Sequence, residues 1–237
     1  MQLEAIAGQL AALDQAPGPS VVRFDDGPGF RTRVAVLPSA FNPPTAAHAG
    51  LLELAATLPD IGATAALLST RNVDKGIFGA SLADRIGMLL AARETDPDLA
   101  VLASNAARIA DQAAALREAW PGIGFDFVVG YDTLVRLFEP RYYDDMDAAL
   151  RGFFAQHRVI AANRADATTE DVLAYLETPV VRPYRDRIVV LELDEARAAL
   201  SSTAVRNGQP LPIDPVVPPV ARYIAERGLY RSETIAR

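Results

Sequence analysis

The sequence predicts a doubly wound α/β fold in one domain, with a parallel sheet between two layers of helices. Short apolar runs alternate with helical segments along most of the 237 residues, which is the order expected of parallel strands joined by crossover helices. The runs are continuously apolar rather than alternating, as in strands that are covered on both faces. The chain contains no internal repeat or low-complexity tract that indicates another architecture.

The apolar periodicity places the individual elements. An amphipathic helix is predicted over 1–16, where apolar residues recur at helical spacing. A short helix is expected after the serine–threonine segment at 201–203, and another over 218–230. Strands are predicted over 34–37, 65–69, 100–104, 126–130, 158–162 and 188–193, and helices over 45–58, 80–95, 106–119, 131–137, 145–155 and 169–177. In such folds ligands bind beyond the carboxyl ends of the strands, so the turns there are the places to look for chemistry.

Composition excludes several function classes. The chain has no cysteine, which excludes disulfides, cysteine-bound zinc and a thiol nucleophile, and fits a cytoplasmic location. A net charge of -7 argues against broad binding to nucleic acid or to anionic membranes, although it leaves room for a local basic pocket. We find no secretion signal and no apolar run of membrane-spanning length.

The turn after the first strand of the predicted sheet carries one of the two histidines. Thr45 is a plausible N-cap, so His48 would be the third residue of the helix that follows. Glutamate would complete a capping box at this position, whereas a charged histidine adds positive potential to the positive end of the helix dipole. A negatively charged ligand would make the histidine favourable. A histidine with a surface or packing role remains the alternative.

This stretch resembles the signature of the nucleotidyltransferase superfamily, [G/S]-x-F-[D/N]-P-x-[T/H]-x-G-H. Phe41, Asn42, Pro43, Thr45 and His48 match it, and Ser39 and Ala40 form the small-residue entry to the turn. The glycine that precedes the final histidine is Ala47 here. The resemblance extends over about residues 30–232 and points to the nicotinamide/nicotinate mononucleotide adenylyltransferase family. It implies a Rossmann-like nucleotidyltransferase domain at 31–237. The resemblance leaves residues 1–30 unexplained, and the helix predicted there makes them an N-terminal helical extension.

Three downstream segments match the same family in order. "LSSTAVR" offers Ser201, Ser202, Thr203 and Arg206 as donors to phosphate groups. Gly130 and Asp132 end a strand in the pattern that holds the ribose of ATP in the family. Lys75, the single lysine among 23 basic residues, lies where the family reaches for the triphosphate or the acceptor phosphate. Arg71 and Arg85 are candidate helpers of Lys75, although solvated surface charges are the expected role of both. Arg136 and the Tyr142–Tyr143 pair are expected to have packing roles.

The resemblance implies adenylyl transfer from ATP to nicotinamide or nicotinate mononucleotide. His48, Lys75 and Arg206 would be the catalytic residues, with His48 donating to phosphate oxygens in its charged form. Ser39, Ala40, Phe41, Asn42, Thr45, Gly130, Asp132, Ser201, Ser202 and Thr203 would bind the nucleotide. Mg²⁺ would be held mainly by the phosphates, with no protein metal site. The partners would be small nucleotides, without nucleic acid or membrane, and a homo-oligomer is left open.

Three alternatives stay open at the level of sequence. A nucleotidyltransferase of this fold can use another phosphorylated acceptor, or CTP as the donor. A non-catalytic ATP-binding relative would fit the substitution at Ala47 and the lack of the family's tryptophan segment. A class I aminoacyl-tRNA synthetase core shares the histidine signature but is disfavoured by the short, acidic chain. Phe41, Tyr131 or Trp120 could offer an aromatic face to the acceptor.

Overall fold

A computed structural model describes residues 3–71, 79–164 and 167–230. Lys75 lies outside these residues, and its predicted role stays a prediction. A seven-stranded sheet organises the chain, with the strand order β1-β4-β3-β2-β5-β6-β7. All neighbouring strands are parallel except β1, which pairs antiparallel with β4. The strands are β1 (Val21–Arg23), β2 (Arg33–Ser39), β3 (Ile61–Ser69), β4 (Ala100–Ser104), β5 (Phe125–Gly130), β6 (Arg158–Ala162) and β7 (Ile188–Leu191).

The helices cover both faces of the sheet, which confirms the predicted fold class. Ten α-helices occur within the described residues, and none has the length and apolar character needed to cross a membrane. They are α1 (Leu3–Asp14), α2 (Ala46–Ala56), α3 (Leu82–Ala92), α4 (Ile109–Ala119), α5 (Tyr131–Leu137), α6 (Met146–Phe154), α7 (Thr169–Leu176), α8 (Glu195–Ala198), α9 (Ser202–Arg206) and α10 (Pro218–Arg227). Two 3₁₀ segments occur at Pro140–Tyr142 and Arg182–Arg187.

Two apolar layers explain why the strands read as continuous apolar runs. In β2, Ala35 and Leu37 belong to the layer under α1, α2 and α3, whereas Val34 and Val36 belong to the layer under α4–α7. Successive side chains of a strand point to opposite faces, so a sheet with helices on both sides leaves no position for solvated residues. All four side chains are at most 3% exposed.

The first 30 residues contain a strand as well as the predicted helix. The apolar face of α1 is buried against the sheet through Ile6, Leu10 and Leu13. After a short turn, β1 runs antiparallel along β4, with Val21 opposite Ser104. The sequence did not predict β1, because three residues at a sheet edge leave too short a pattern to read.

The position of β2 explains where a ligand site can form. β2 pairs with β3 on one side and with β5 on the other, so the chain reverses its direction of winding there. Loops from the two halves diverge at such a reversal and leave a crevice beyond the carboxyl ends of the strands. The ends that meet at this crevice are those of β2, β3 and β5.

Candidate functional site

A cavity of about 590 Å³ opens at this crevice, within the range of about 300–1,000 Å³ typical of small-molecule sites. It brings together eleven of the thirteen residues that the sequence singled out. Thr45 lies behind the lining and Lys75 outside the described residues. The eleven are Ser39, Ala40, Phe41, Asn42, His48, Gly130, Asp132, Ser201, Ser202, Thr203 and Arg206.

His48 is held in one orientation and one tautomer. As predicted, Thr45 is the N-cap of α2 and His48 is its third residue. The Thr45 backbone N–H donates to His48 Nδ1 over 2.9 Å, and the Thr45 hydroxyl lies 2.8 Å from the same nitrogen. Because Nδ1 accepts a hydrogen bond, the ring proton resides on Nε2. Nε2 lies 3.1 Å from Ser39 Oγ, at the cavity.

The environment of His48 keeps its ring neutral, contrary to the charged form expected from the sequence. The side chain is 3% exposed and packs against the Phe41 ring at a centroid distance of 5.0 Å. Burial, together with a smaller effect of the positive charge of Arg164, lowers the pKa of His48 to about 3. His48 completes the capping box for which glutamate was expected from the sequence, because Nδ1 accepts the hydrogen bond of the Thr45 N–H in place of a carboxylate.

The turn between β2 and α2 combines an unusual backbone conformation at Phe41 with hydrogen bonds from other segments to Asn42. Phe41 has a φ of 44°, in the left-handed region that a bulky residue seldom adopts, and such backbone clusters at functional sites. Its ring is 1% exposed, so it supports His48 instead of offering a face to an acceptor. The Asn42 carboxamide oxygen accepts hydrogen bonds from the Ala80 N–H and the Tyr230 hydroxyl.

The segment 201–206 binds this turn from the opposite end of the chain. The Ser202 hydroxyl donates to the Pro43 carbonyl over 2.8 Å, and Arg206 Nη1 donates to the Asn42 carbonyl. Ser201 caps α9 by accepting the Ala204 N–H. Arg206 Nη2 also donates to Thr203 Oγ1 over 3.0 Å. These contacts join the two motifs directly, so their side chains line one continuous wall of the cavity.

The end of β5 forms another wall. Gly130 is the N-cap of α5, and a Cβ there would lie 2.8 Å from Arg164 Cδ and 3.2 Å from Asp132 Oδ1. A larger residue at this position would therefore force the Arg164 side chain to shift. Asp132 is the second residue of the helix rather than its cap, since the helix begins at Tyr131. Its carboxylate is exposed and lies 3.7 Å from Arg136.

The lining is strongly basic in a protein of net charge -7. Among the described residues, six arginines and one carboxylate, that of Asp132, line the cavity. Arg85 is 4% exposed and donates to the Ala80 and Ala40 carbonyls, so its predicted solvated role is wrong. The six are Arg71, Arg85, Arg108, Arg136, Arg164 and Arg206. Arg108 and Arg164 carried no motif in the sequence, and only the topology brings them to this site.

Two further expectations are settled by position. Ala47, which stands where the signature has glycine, is 1% exposed and belongs to the apolar layer under α2. Its methyl group is not part of the cavity lining that the structure describes. Trp120 packs against Phe30 and Phe125 away from the cavity, so it offers no face to a ligand there. The aromatic lining comes instead from Tyr131, Tyr142 and Tyr143, of which the last two were expected to have packing roles alone.

The winding of the sheet is that of a Rossmann-like α/β fold, and the two motifs that resemble the nucleotidyltransferase signatures both lie at its crevice. A Schizosaccharomyces pombe protein provisionally named a nicotinamide mononucleotide adenylyltransferase is 29% identical over 150 residues. The match covers 61% of this chain and 59% of that protein, so the chain spans less than two thirds of the length of the relative. No family model matches the chain.

Solved structures share the fold at low identity. The nicotinic acid mononucleotide adenylyltransferase of Plasmodium falciparum complexed with NaAD superposes with a TM-score of 0.64, at 15% identity over 84% of this chain and 98% of that chain. A Vibrio parahaemolyticus protein provisionally named a nicotinate-nucleotide adenylyltransferase gives a TM-score of 0.50, at 16% identity over 86% and 98%. The resemblance to nicotinamide and nicotinate mononucleotide adenylyltransferases that the motifs indicated is thus confirmed.

Proposed function

We propose that the protein transfers the adenylyl group of ATP to nicotinamide or nicotinate mononucleotide, releasing pyrophosphate and NAD or its deamido form. The observation that carries this proposal is the junction of the two motifs. His48 Nε2 and the segment 201–206 face one cavity, joined by the bonds from Ser202 and Arg206 to the turn at 42–43. The name of the curated relative points the same way.

The reaction needs positioning and charge stabilisation rather than a protein nucleophile. An oxygen of the acceptor phosphate attacks the α-phosphorus of ATP, and the bond from that phosphorus to the bridging oxygen breaks. Pyrophosphate takes the electron pair of that bond. The arginines that line the cavity would bind the phosphate groups and stabilise the charge that shifts onto the leaving oxygen. This is the chemistry that a strongly basic pocket in an acidic protein supports.

His48 would contribute as a neutral hydrogen-bond donor. Its proton lies on Nε2, and the Thr45 N–H and hydroxyl occupy Nδ1. It is therefore oriented to donate to a phosphate oxygen without a change of protonation state. In the structure, Nε2 lies beside Ser39 Oγ. A bound ligand would accept the hydrogen bond of Nε2 in place of Ser39, and the Ser39 hydroxyl would then donate to the ligand as well. Donors that are already oriented need no reorganisation as the charge develops.

Gly130 and Asp132 are proposed to bind the adenosine, because a carboxylate at the end of a strand accepts hydrogen bonds from ribose hydroxyls in nucleotide folds. The adenosine would then occupy the β5 side of the cavity, and the acceptor would occupy the β3 and β4 side. Tyr142 and Tyr143 lie on the lining and supply aromatic surface. Lys75 remains a proposed ligand of the triphosphate or the acceptor phosphate.

Mg²⁺ is proposed to enter with ATP. The described lining holds one carboxylate, and no group of three acidic or histidine side chains that suits a metal occurs among the described residues. This donor set fits an ion that is bound by phosphate oxygens and water, as Mg²⁺ often is. Bound in this way, the ion would neutralise part of the triphosphate charge. We further propose a cytoplasmic location and small nucleotides as the partners, as the composition predicts.

The test is pyrophosphate release and dinucleotide formation with ATP, Mg²⁺ and a panel of phosphorylated acceptors. We expect product with nicotinamide or nicotinate mononucleotide, and a loss of at least about a hundredfold in kcat/KM for His48→Ala. His157→Ala is the matched control, because His157 is also buried but bonds to the Phe125 carbonyl at the far end of the sheet. Product with a different acceptor alone, or ATP binding without transfer to any acceptor, would overturn the proposal.

A further inference from the structure

The N-terminal segment is fastened to the same loops that line the cavity. This segment, residues 13–20, comprises the last two residues of α1 and the turn that leads to β1, and it is named the connector. Its start is anchored, because Leu13 is 3% exposed and lies in the core with the rest of the apolar face of α1. Asp14 and Ser20 then reach the ends of two neighbouring strands of the sheet.

Asn105 makes the central contact with the connector. This residue follows β4 and is 5% exposed. Its Nδ2 donates to the carbonyls of Leu13 and Gly18, both over 3.0 Å, and its Oδ1 accepts the Ser20 N–H over 2.7 Å. Both amide hydrogens and the carbonyl oxygen of the side chain are therefore used, and every partner lies in the connector. Ser104 adds a bond from its hydroxyl to the Ser20 carbonyl over 2.8 Å.

The residues immediately after this contact form part of the cavity lining. Ala107, Arg108 and Ile109 line the cavity and are named the 107–109 wall. Asn105 fixes one end of this short stretch, and the buried Gln112 side chain fixes it again by donating to the Ala106 carbonyl and to Ser69 Oγ.

The connector also contacts the end of β3. Arg71 lines the cavity and donates to the Asp14 carboxylate and carbonyl over 2.8–2.9 Å. The connector thus bridges the end of β3 at Arg71 and the end of β4 at Asn105. Both strand ends lie on the side of the cavity where the acceptor is proposed to bind.

From this geometry we infer that the connector contributes to the site. Asn105 is a positioning residue that holds the 107–109 wall in place for the acceptor mononucleotide. The inference rests on the proposed function, since it assigns the acceptor to the β3 and β4 side. A shift of about 1 Å in a group that positions a substrate can cost about a hundredfold in rate. Asn105 itself touches no substrate and acts through the wall.

A role in positioning and a role in stability alone predict different kinetics. Asn105→Ala should raise the KM for the mononucleotide about tenfold, with the KM for ATP and kcat changed by about threefold at most. Asp25→Ala is the matched control. Asp25 lies just after β1 and accepts the Val101 N–H over 2.7 Å, so it fastens a neighbouring part of the chain to β4, but at the end of β4 remote from the cavity. It should lower Tm and leave the KM for the mononucleotide unchanged.

Asp14→Ala keeps the inference testable if Asn105→Ala does not fold. Asp14 is exposed, with 61% of its side chain accessible, so its replacement should leave the fold intact while freeing Arg71. We expect a rise of about threefold in the KM for the mononucleotide, against little change for ATP.

The experiment is steady-state kinetics on full-length wild type, Asn105→Ala, Asp14→Ala and Asp25→Ala, with ATP and each mononucleotide varied in turn. An acceptor-specific rise in KM for the first two variants and none for Asp25→Ala supports the inference. Product from the wild type with an unchanged mononucleotide KM in the folded variants overturns the inference alone, as does an equal rise in Asp25→Ala. No product from the wild type overturns the proposed function, and the inference with it.

Discussion

Buried His48 should make the fold sensitive to acid, and His48→Asn should remove that part of the sensitivity. Burial lowers the pKa of His48 to about 3 in the folded protein, whereas an exposed histidine in the unfolded chain titrates at about 6.5. Between these values the unfolded chain binds a proton that the folded chain does not. Stability from this group is therefore fully present above about pH 7.5 and is lost as the pH falls below 6.5.

The size of the effect follows from the two pKa values. At pH 5 the free energy of unfolding should be about 2 kcal/mol lower than at pH 7.5 because of His48 alone. This figure depends only on the pKa of His48 in the unfolded state, because the pKa of His48 in the folded protein lies well below 5. The loss would reach about 4 kcal/mol at pH 3, where His48 of the folded protein is itself about half protonated.

The measurement is urea denaturation of the wild type and of His48→Asn, without nucleotides, between pH 7.5 and 5. Asparagine is uncharged and can accept the Thr45 N–H in place of Nδ1. The carboxylates and His157, whose pKa burial also lowers, contribute alike to both proteins and cancel in the difference. The wild type should lose about 2 kcal/mol more than the variant. Curves that stay parallel to within about 0.5 kcal/mol would refute the buried, neutral histidine.

Three further predictions concern the residues around it. Ala47→Gly restores the residue of the signature but removes a buried methyl group. We therefore expect the free energy of unfolding to fall by about 1–2 kcal/mol and kcat/KM to stay within about twofold. A severalfold gain in kcat/KM would mean that the methyl group obstructs the ligand. Arg85→Ala removes the donor to the Ala80 and Ala40 carbonyls, and should lower the free energy of unfolding by about 3 kcal/mol in urea denaturation. Replacement of the exposed Arg71 by alanine should lower it by less than about 1 kcal/mol. Equal losses would contradict the buried role of Arg85. Ser202→Ala removes the bond to the Pro43 carbonyl and should lower the free energy of unfolding by about 1 kcal/mol, whereas unchanged stability would show that this bond contributes nothing.

The sequence predicted the sheet well because both of its faces are covered. The strands at 100–104 and 158–162 and the helix at 131–137 were predicted with the bounds that the structure shows. The strand predicted over 188–193 ends at Leu191, and the helix predicted from 106 begins at Ile109. Element ends depend on caps and loop contacts, such as those of Asn105, and these do not appear in the apolar pattern.

Motifs in the sequence identified most residues of the candidate site, but they did not predict the burial or the protonation of these residues. The sequence around Arg85 does not show that it is buried, because the Ala40 carbonyl that accepts one of its hydrogen bonds lies 45 residues away along the chain. Likewise, the pKa of His48 depends on Phe41 packing and on Arg164, more than 100 residues away. Arg108 and Arg164 join the cavity only because the topology places β4 and β6, the strands that they follow, on either side of β2 with one strand between.

The turn at Asn42 and Pro43 also sets the order in which the protein can be completed during synthesis. The strands from β2 to β6 precede residue 163, so most of the sheet can pair while the last part of the chain is still inside the ribosome. At that stage the turn lacks the donors from Ser202, Arg206 and Tyr230. A chain that ended before these residues would therefore hold a nearly complete sheet, but the turn that lines the cavity would lack three of its hydrogen-bond donors.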